Sequence, residues 1–235
     1  MSIVGAVALA TLLVGEAEVS NGAQRGTRMA FEAQRCGDSM RSVWRDAEQC
    51  IVAEEDLLFV GERWVRYRLQ RLNVGVDVTA QRETDGIRVT IRRGEATREV
   101  RLRSAESLMV GSTLVNFLAA AMPNLRAGRT VDFDYLVADR GTSVRLRAKL
   151  VSGAAPRGAA VRLEAASPML RPFVPPTQLQ FDERGELQSM AGRLVPQGGD
   201  ATNPQSLEGV LRLRPVILSA NASRVQYGCN KGDVT

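Results

Sequence analysis

Residues 74–92 read VGVDVTAQRETDGIRVTIR, and this stretch decides the fold. Val74, Val76, Val78 and Ala80 alternate with Gly75, Asp77, Thr79 and Gln81, and Ile87, Val89 and Ile91 alternate with Arg88, Thr90 and Arg92. A period of two places one set of side chains on a dry face and the other in water, as a half-buried strand requires. Between the two runs, Asp85-Gly86 predicts a tight turn with glycine at positive φ, so the pair reads as an antiparallel hairpin.

Working outward, the same period holds at residues 57–60 and 64–72, and continues at Val100 and Leu102 between Arg101 and Arg103. Farther on, Val131, Phe133, Tyr135 and Val137 alternate with Asp132 and Asp134, and Val144, Leu146, Ala148 and Leu150 with Arg145, Arg147 and Lys149. The turn between them falls at Asp139-Arg140-Gly141. Aspartates opposite arginines suit cross-strand pairing and support this register. Shorter strands are expected at residues 161–165, 179–181, 187–193 and 210–214, with a turn at 182–185.

One helix interrupts them. Residues 112–122 (STLVNFLAAAM) carry an apolar stripe of Leu114, Phe117, Leu118, Ala121 and Met122, with Ser112 as N-cap and Pro123 just past the end. That stripe is expected to pack on the concave side of the sheet. The four prolines of residues 168–176 cannot donate to a central ladder, so this segment reads as a rim, with Phe173 and Val174 at its mouth. Residues 196–209 read as the longest polar loop.

The first quarter of the chain is harder to pattern. Residues 3–14 (IVGAVALATLLV) are too short to span a bilayer and suit the apolar core of an export signal, although no Lys or Arg precedes them. Within the polar stretch that follows, Met40, Val43, Trp44, Ala47 and Ile51 recur at three- and four-residue spacing and predict a helix over 38–53. The expected organisation is a leader at 1–20, a linker or helical segment at 21–56, an antiparallel β domain at 57–218 and a tail at 219–235. The fold class is mainly β: a curved antiparallel sheet or incomplete β-barrel wrapping one short helix.

Composition narrows the chemistry. The net charge is +5, but lysine occurs only at Lys149 and Lys231, and the arginines sit singly along strands with no aromatic-basic motif. They read as solvated outer faces, and no nucleic-acid partner is expected. Histidine is absent, which removes Ser-His-Asp and Cys-His nucleophiles, histidine-containing zinc sites and histidine-ligated haem. Cys36, Cys50 and Cys229 lack CxxC spacing, so no metal site is expected; in an oxidising compartment Cys36 and Cys50 could close a short loop, and pairing of Cys229 with either is equally allowed. No P-loop, G-x-S-x-G or dinucleotide fingerprint occurs, and no cofactor is expected.

Two weak chemical signals remain. Asp132 and Asp134 share one strand face about 6.6–7 Å apart, a separation that an acid–base pair can use. Gly111-Ser112-Thr113 could offer backbone N–H groups to an anion, although helix capping accounts for it.

The order of features in residues 117–133 (FLAAAMPNLRAGRTVDF), 161–174 (VRLEAASPMLRPFV) and 179–187 (LQFDERGEL) resembles uncharacterised bacterial envelope proteins in the style of DUF3108 domains and of the LolA/LolB lipoprotein carriers. The resemblance implies a curved sheet around a helix whose concave face holds lipid or acyl chains. On that basis the expectation is a non-enzymatic, exported, periplasmic protein that binds a lipid or other hydrophobic molecule through Leu114, Phe117, Leu118, Phe133 and Phe173, with peripheral membrane association. Two alternatives stand beside it. One is a structural or protein-interaction module with an envelope partner; the other is a carboxylate hydrolase using Asp132 and Asp134. A carrier requires unfilled apolar volume near those five residues.

Overall fold

The computed structural model describes residues 11–103, 108–151 and 158–217. Fifteen strands form one sheet: β1 (Thr11–Val19), β2 (Arg28–Cys36), β3 (Ser39–Arg45), β4 (Ile51–Val60), β5 (Arg63–Arg71), β6 (Val76–Arg82), β7 (Gly86–Arg93), β8 (Ala96–Arg103), β9 (Leu108–Met109), β10 (Val131–Val137), β11 (Thr142–Leu150), β12 (Ala159–Ala165), β13 (Thr177–Phe181), β14 (Leu187–Gly198) and β15 (Gln205–Ile217). The helix α1 (Thr113–Arg126) lies between β9 and β10.

The strand order is 8-7-6-5-4-3-2-1-15-14-13-12-11-10-9. Two meanders, β1–β8 and β9–β15, are thus joined where β1 pairs with β15, from Thr11↔Ile217 to Val19↔Gly209. All neighbours are antiparallel except the two-residue β9–β10 contact. The two ends of this order, β8 and β9, are separated in sequence only by residues 104–107, so Arg103 and Leu108 lie within about 18 Å of each other. A sheet of this width meets that condition only by curling round. The curl shows in the contacts of β9: the Leu108 carbonyl accepts hydrogen bonds from the Trp64 indole (2.7 Å) and the Arg82 guanidinium (3.2 Å) of the first meander. The result is an open, curved sheet that does not close into a barrel.

Two cores follow from this arrangement. Leu118, Met122 and Leu125 of α1 pack with Trp44, Phe133, Ala148, Val161 and Leu179 against the inner face of the second meander. Burial on this scale contributes about 1.5–3 kcal/mol for each large apolar side chain. A second core joins β4–β7 to Leu108, Val110, Leu136 and Ala138, where the end of the second meander meets the first.

Much of the reading from period holds. Hairpins β6–β7 and β10–β11 form, with Asp132 opposite Arg147 and Asp134 opposite Arg145. Arg88, Arg92, Arg101, Arg103 and Arg145 are exposed, and Arg147 and Arg162 half-buried. The turn at 138–140 is a short 3-10 segment closed by Gly141 at φ +61°.

Six expectations are corrected. Residues 38–53 are not helical: they form β3, a turn and β4. The turn is made by Asp46, whose carboxylate accepts from the Glu48 and Cys50 N–H groups, with Gln49 at φ +65°. Trp44 and Ser42 on β3 are buried, and the period there is two. Residues 21–56 are therefore no linker, and β1–β4 are integral to the sheet. Residues 11–19 of the expected leader form β1, which is paired on both sides; residues 1–10 lie outside the described residues, as does 218–235, including the expected tail from 219. The helix runs one turn past its expected end, because Pro123 removes one N–H from the ladder without preventing closure through Ala127 N–H to the Pro123 carbonyl (3.1 Å). Ser112 makes no side-chain cap; Thr113 Oγ1 instead accepts from Val110 N–H (2.9 Å). Residues 196–209 form mostly strand, since β14 and β15 extend to Gly198 and back from Gln205. Finally, Gly86 is not at positive φ: it lies in β7, where a Cβ would stand 2.5 Å from the Leu102 carbonyl oxygen. Close approach of β8 makes the glycine necessary.

Candidate functional site

Where the two meanders face one another they leave a cavity of about 270 Å³. Its apolar wall is built by Leu114 of α1, Val144 and Leu146 of β11, Leu163 of β12 and Met190 and Leu194 of β14. Phe173, Val174 and Pro175 stand at the opening. They belong to the proline-rich stretch, whose residues Pro168–Phe173 form a 3-10 segment. That segment is the expected rim, and it holds its apolar side chains in water: Met169 is 83% and Phe173 79% exposed, with Leu170 beside them.

Opposite the apolar wall is a buried polar end. Arg71, the last residue of β5, donates through Nε to the Val195 carbonyl (2.7 Å) and through Nη1 to Asp139 Oδ2 (2.9 Å). Both side chains are nearly sealed from water, at 7% and 6% exposure. Arg193 approaches the same carboxylate at 3.5 Å and is one-third exposed. Burial pushes the Asp139 carboxyl up, but the charges of Arg71 and Arg193 outweigh it and hold the group below its ordinary value. Burial also lowers Arg193.

A second acid lies beside this pair. Glu55 of β4 is buried, accepting from the Tyr67 hydroxyl (2.5 Å) and the Ser42 hydroxyl (3.2 Å). Burial raises its carboxyl above the ordinary value despite those hydrogen bonds. Tyr67 and Tyr135 are both pushed up, first by burial and then by Glu55. Gly111, at φ +48°, presses against this cluster: a Cβ there would meet Glu55 Oε1 at 2.9 Å and the Tyr67 ring at 3.0 Å.

Of the five residues expected to line a ligand site, the structure brings Leu114 and Phe173 to the cavity. The other three sit in the core behind it. Leu118 and Phe133 are buried, and the Phe117 ring packs on Phe133 at 4.9 Å. The polar end escaped the sequence reading. Its signal was present: Glu55 lies in phase with Ala53, Leu57 and Phe59, and Arg71 with Tyr67 and Leu69, so each is a charge on a dry face. Asp132 and Asp134 do not line the cavity. Asp132 accepts two hydrogen bonds from Arg147 (2.8 and 2.9 Å), which lower its carboxyl.

Cys36 is disulfide-bonded, whereas Cys50 is a free, exposed thiol, so the Cys36–Cys50 bridge does not form. Cys229 lies outside the described residues. Among the described residues, no group of three potential metal ligands occurs and no helix is long and apolar enough to cross a membrane.

No known family profile matches the chain, and no curated protein matches it in sequence. In structure it is similar to a β-barrel-like protein of domain of unknown function DUF1849 from Brucella abortus, with a TM-score of 0.53 and 9% identity over 88% of this chain and 96% of that one. A likeness to the dehydratase domain of PpsC from Mycobacterium tuberculosis, in complex with C12:1-CoA, has a TM-score of 0.15 at 11% identity over 87% of this chain and 75% of that one, too low to indicate a shared fold. The first likeness is one of fold alone: it bears out the barrel-like curved sheet read from sequence, and it is to a DUF1849 protein, not to a DUF3108 or LolA/LolB protein.

Proposed function

We propose that this protein is a non-enzymatic binding protein of the bacterial envelope that holds a hydrophobic molecule between its two meanders. The observation that carries this reading is the cavity itself: an apolar wall of Leu114, Val144, Leu146, Leu163 and Met190 left unfilled inside an otherwise packed sheet. Its volume is near the lower end of ligand sites, roughly 300–1,000 Å³, and fits a single alkyl chain better than a whole two-chain lipid.

Two features support an exported, membrane-facing setting. A disulfide at Cys36 persists in an oxidising compartment, and Phe173, which lines the cavity, is exposed together with Met169 and Leu170 of the same 3-10 segment, an apolar surface that suits contact with lipid. The same exposed rim also favours a second reading, an interaction module that docks an envelope protein through residues 168–173.

Isothermal titration of delipidated protein with decanol separates the two. The expected result is saturable binding that Val144→Trp abolishes by filling the cavity while leaving the circular dichroism spectrum unchanged. Absence of binding, or equal binding by the filled variant, would overturn the cavity reading and favour the interaction module.

A further inference from the structure

The charges at the closed end of the cavity do not balance. Arg71, Arg140 and Arg193 all line the cavity. Facing them are the carboxylates of Asp139 and Glu55, and Glu164, which touches the lining, is already held by Lys149, Arg162 and Arg171. Arg140 is exposed, so the buried guanidinium groups are those of Arg71 and Arg193, and among the described residues the one carboxylate within ion-pair distance of either is Asp139. The Glu55 carboxylate is engaged elsewhere, accepting from the Tyr67 and Ser42 hydroxyls.

The excess is localised on Arg193. Arg71 is held by Asp139 and the Val195 carbonyl. Asp139 sits 2.9 Å from Arg71 and 3.5 Å from Arg193, whose only ion pair among the described residues is this longer one. Arg193 precedes a break in the β14 ladder, where pairing with β15 skips from Arg193 to Gln197, and Leu194 and Val195 beside it line the cavity too. A guanidinium that is two-thirds buried, loosely paired and bordered by apolar wall is a docking point for a planar anion.

Resting on the cavity reading above, we propose that the bound molecule is a single-chain amphiphile with a monoanionic carboxylate head, a fatty acid in chemical class, whose head docks on Arg193 and whose tail lies along Leu114, Leu163 and Met190. A monoanion matches the one positive charge left over when Arg71 and Arg193 share the Asp139 carboxylate. A phosphate monoester, with about −1.5 to −2 charge at pH 7, would overfill it.

The test compares decanoate, decanol and decyl phosphate by isothermal titration on the delipidated full chain, each below its aggregation threshold. Decanoate is expected to bind about tenfold more tightly than decanol, the size of one charge-assisted contact, and more tightly than decyl phosphate. Arg193→Gln should bring decanoate to parity with decanol and leave decanol unchanged, and Arg193→Lys should restore part of the preference. Equal affinities for decanoate and decanol in the unaltered protein would overturn the head-group assignment and leave the cavity standing, and this comparison needs no variant to fold. Tighter binding of decyl phosphate would overturn the monoanion assignment. Failure of all three to bind would overturn the cavity reading itself.

Discussion

Two carboxylate–guanidinium pairs lie seven residues apart on one strand-and-turn unit, and they do opposite things. Asp132, near the start of β10, meets Arg147 on the outer face, where the arginine is exposed by more than a third. Asp139, in the turn that ends β10, meets Arg71 across the two meanders and is shut away from water. The outer pair has better hydrogen-bond geometry, with two donors to two oxygens. Its contribution is nevertheless small, because each charge was well solvated before it paired. The inner pair has one such contact, yet it crosses between elements distant in sequence and leaves no water to replace a lost partner. Burial, more than geometry, sets what removal of a partner costs.

The comparison can be broken at several points, and the largest effect is expected at Asp139. Asp139→Ala strands the buried Arg71 guanidinium and should lower stability to urea by about 3–5 kcal/mol. A loss under about 1 kcal/mol would mean that water reaches Arg71 and that the inner pair behaves like the outer one.

A smaller, pH-dependent effect is expected at Glu55. Its folded-state carboxyl lies above the ordinary value of 4.5, so its contribution to stability is complete below that value and is lost as pH rises through the folded one. Glu55→Gln, which mimics the protonated acid, should therefore be relatively more stable than the unaltered protein at pH 8 than at pH 4. Urea midpoints across that range measure it, and a difference independent of pH would contradict the burial assigned to Glu55.

The smallest effect is expected outside. Asp132→Asn should change stability by less than about 1 kcal/mol, and less still in high salt. Ligand binding should not change at all, because Asp132 lies off the cavity. A large loss of decanol binding in this variant would place the outer face in the site.

The same contrast explains what could be read in advance. Alternation reports which face is dry, so the outer pair, its register and the arginine-studded exterior were legible from residues 131–150 alone. Local spacing failed where a long-range partner decided the outcome. Residues 38–53 have helical spacing, but Trp44 is buried by a sheet that includes β15, and the Asp46 turn breaks the run. Gly86 was legible as a glycine that matters; its cause, the approach of β8, was not. The inner pair joins residues 68 apart in sequence, and nothing within residues 63–71 names Asp139 as the partner. Charges in phase with apolar neighbours, Glu55 and Arg71, were the one trace that the buried polar end left in the sequence. Phe133 and Leu118 have the composition of ligand-lining residues but fill the core, a distinction that only packing makes.

The most direct test of the central claim, that the space between the two meanders holds an amphiphile, is native mass spectrometry of the full chain as purified from cells, beside Val144→Trp. The account predicts an adduct of one amphiphile per chain that is released into organic solvent, identified there as a fatty carboxylate, and missing from the filled variant. A bare protein mass in both samples, together with no uptake of decanoate added before measurement, would contradict it.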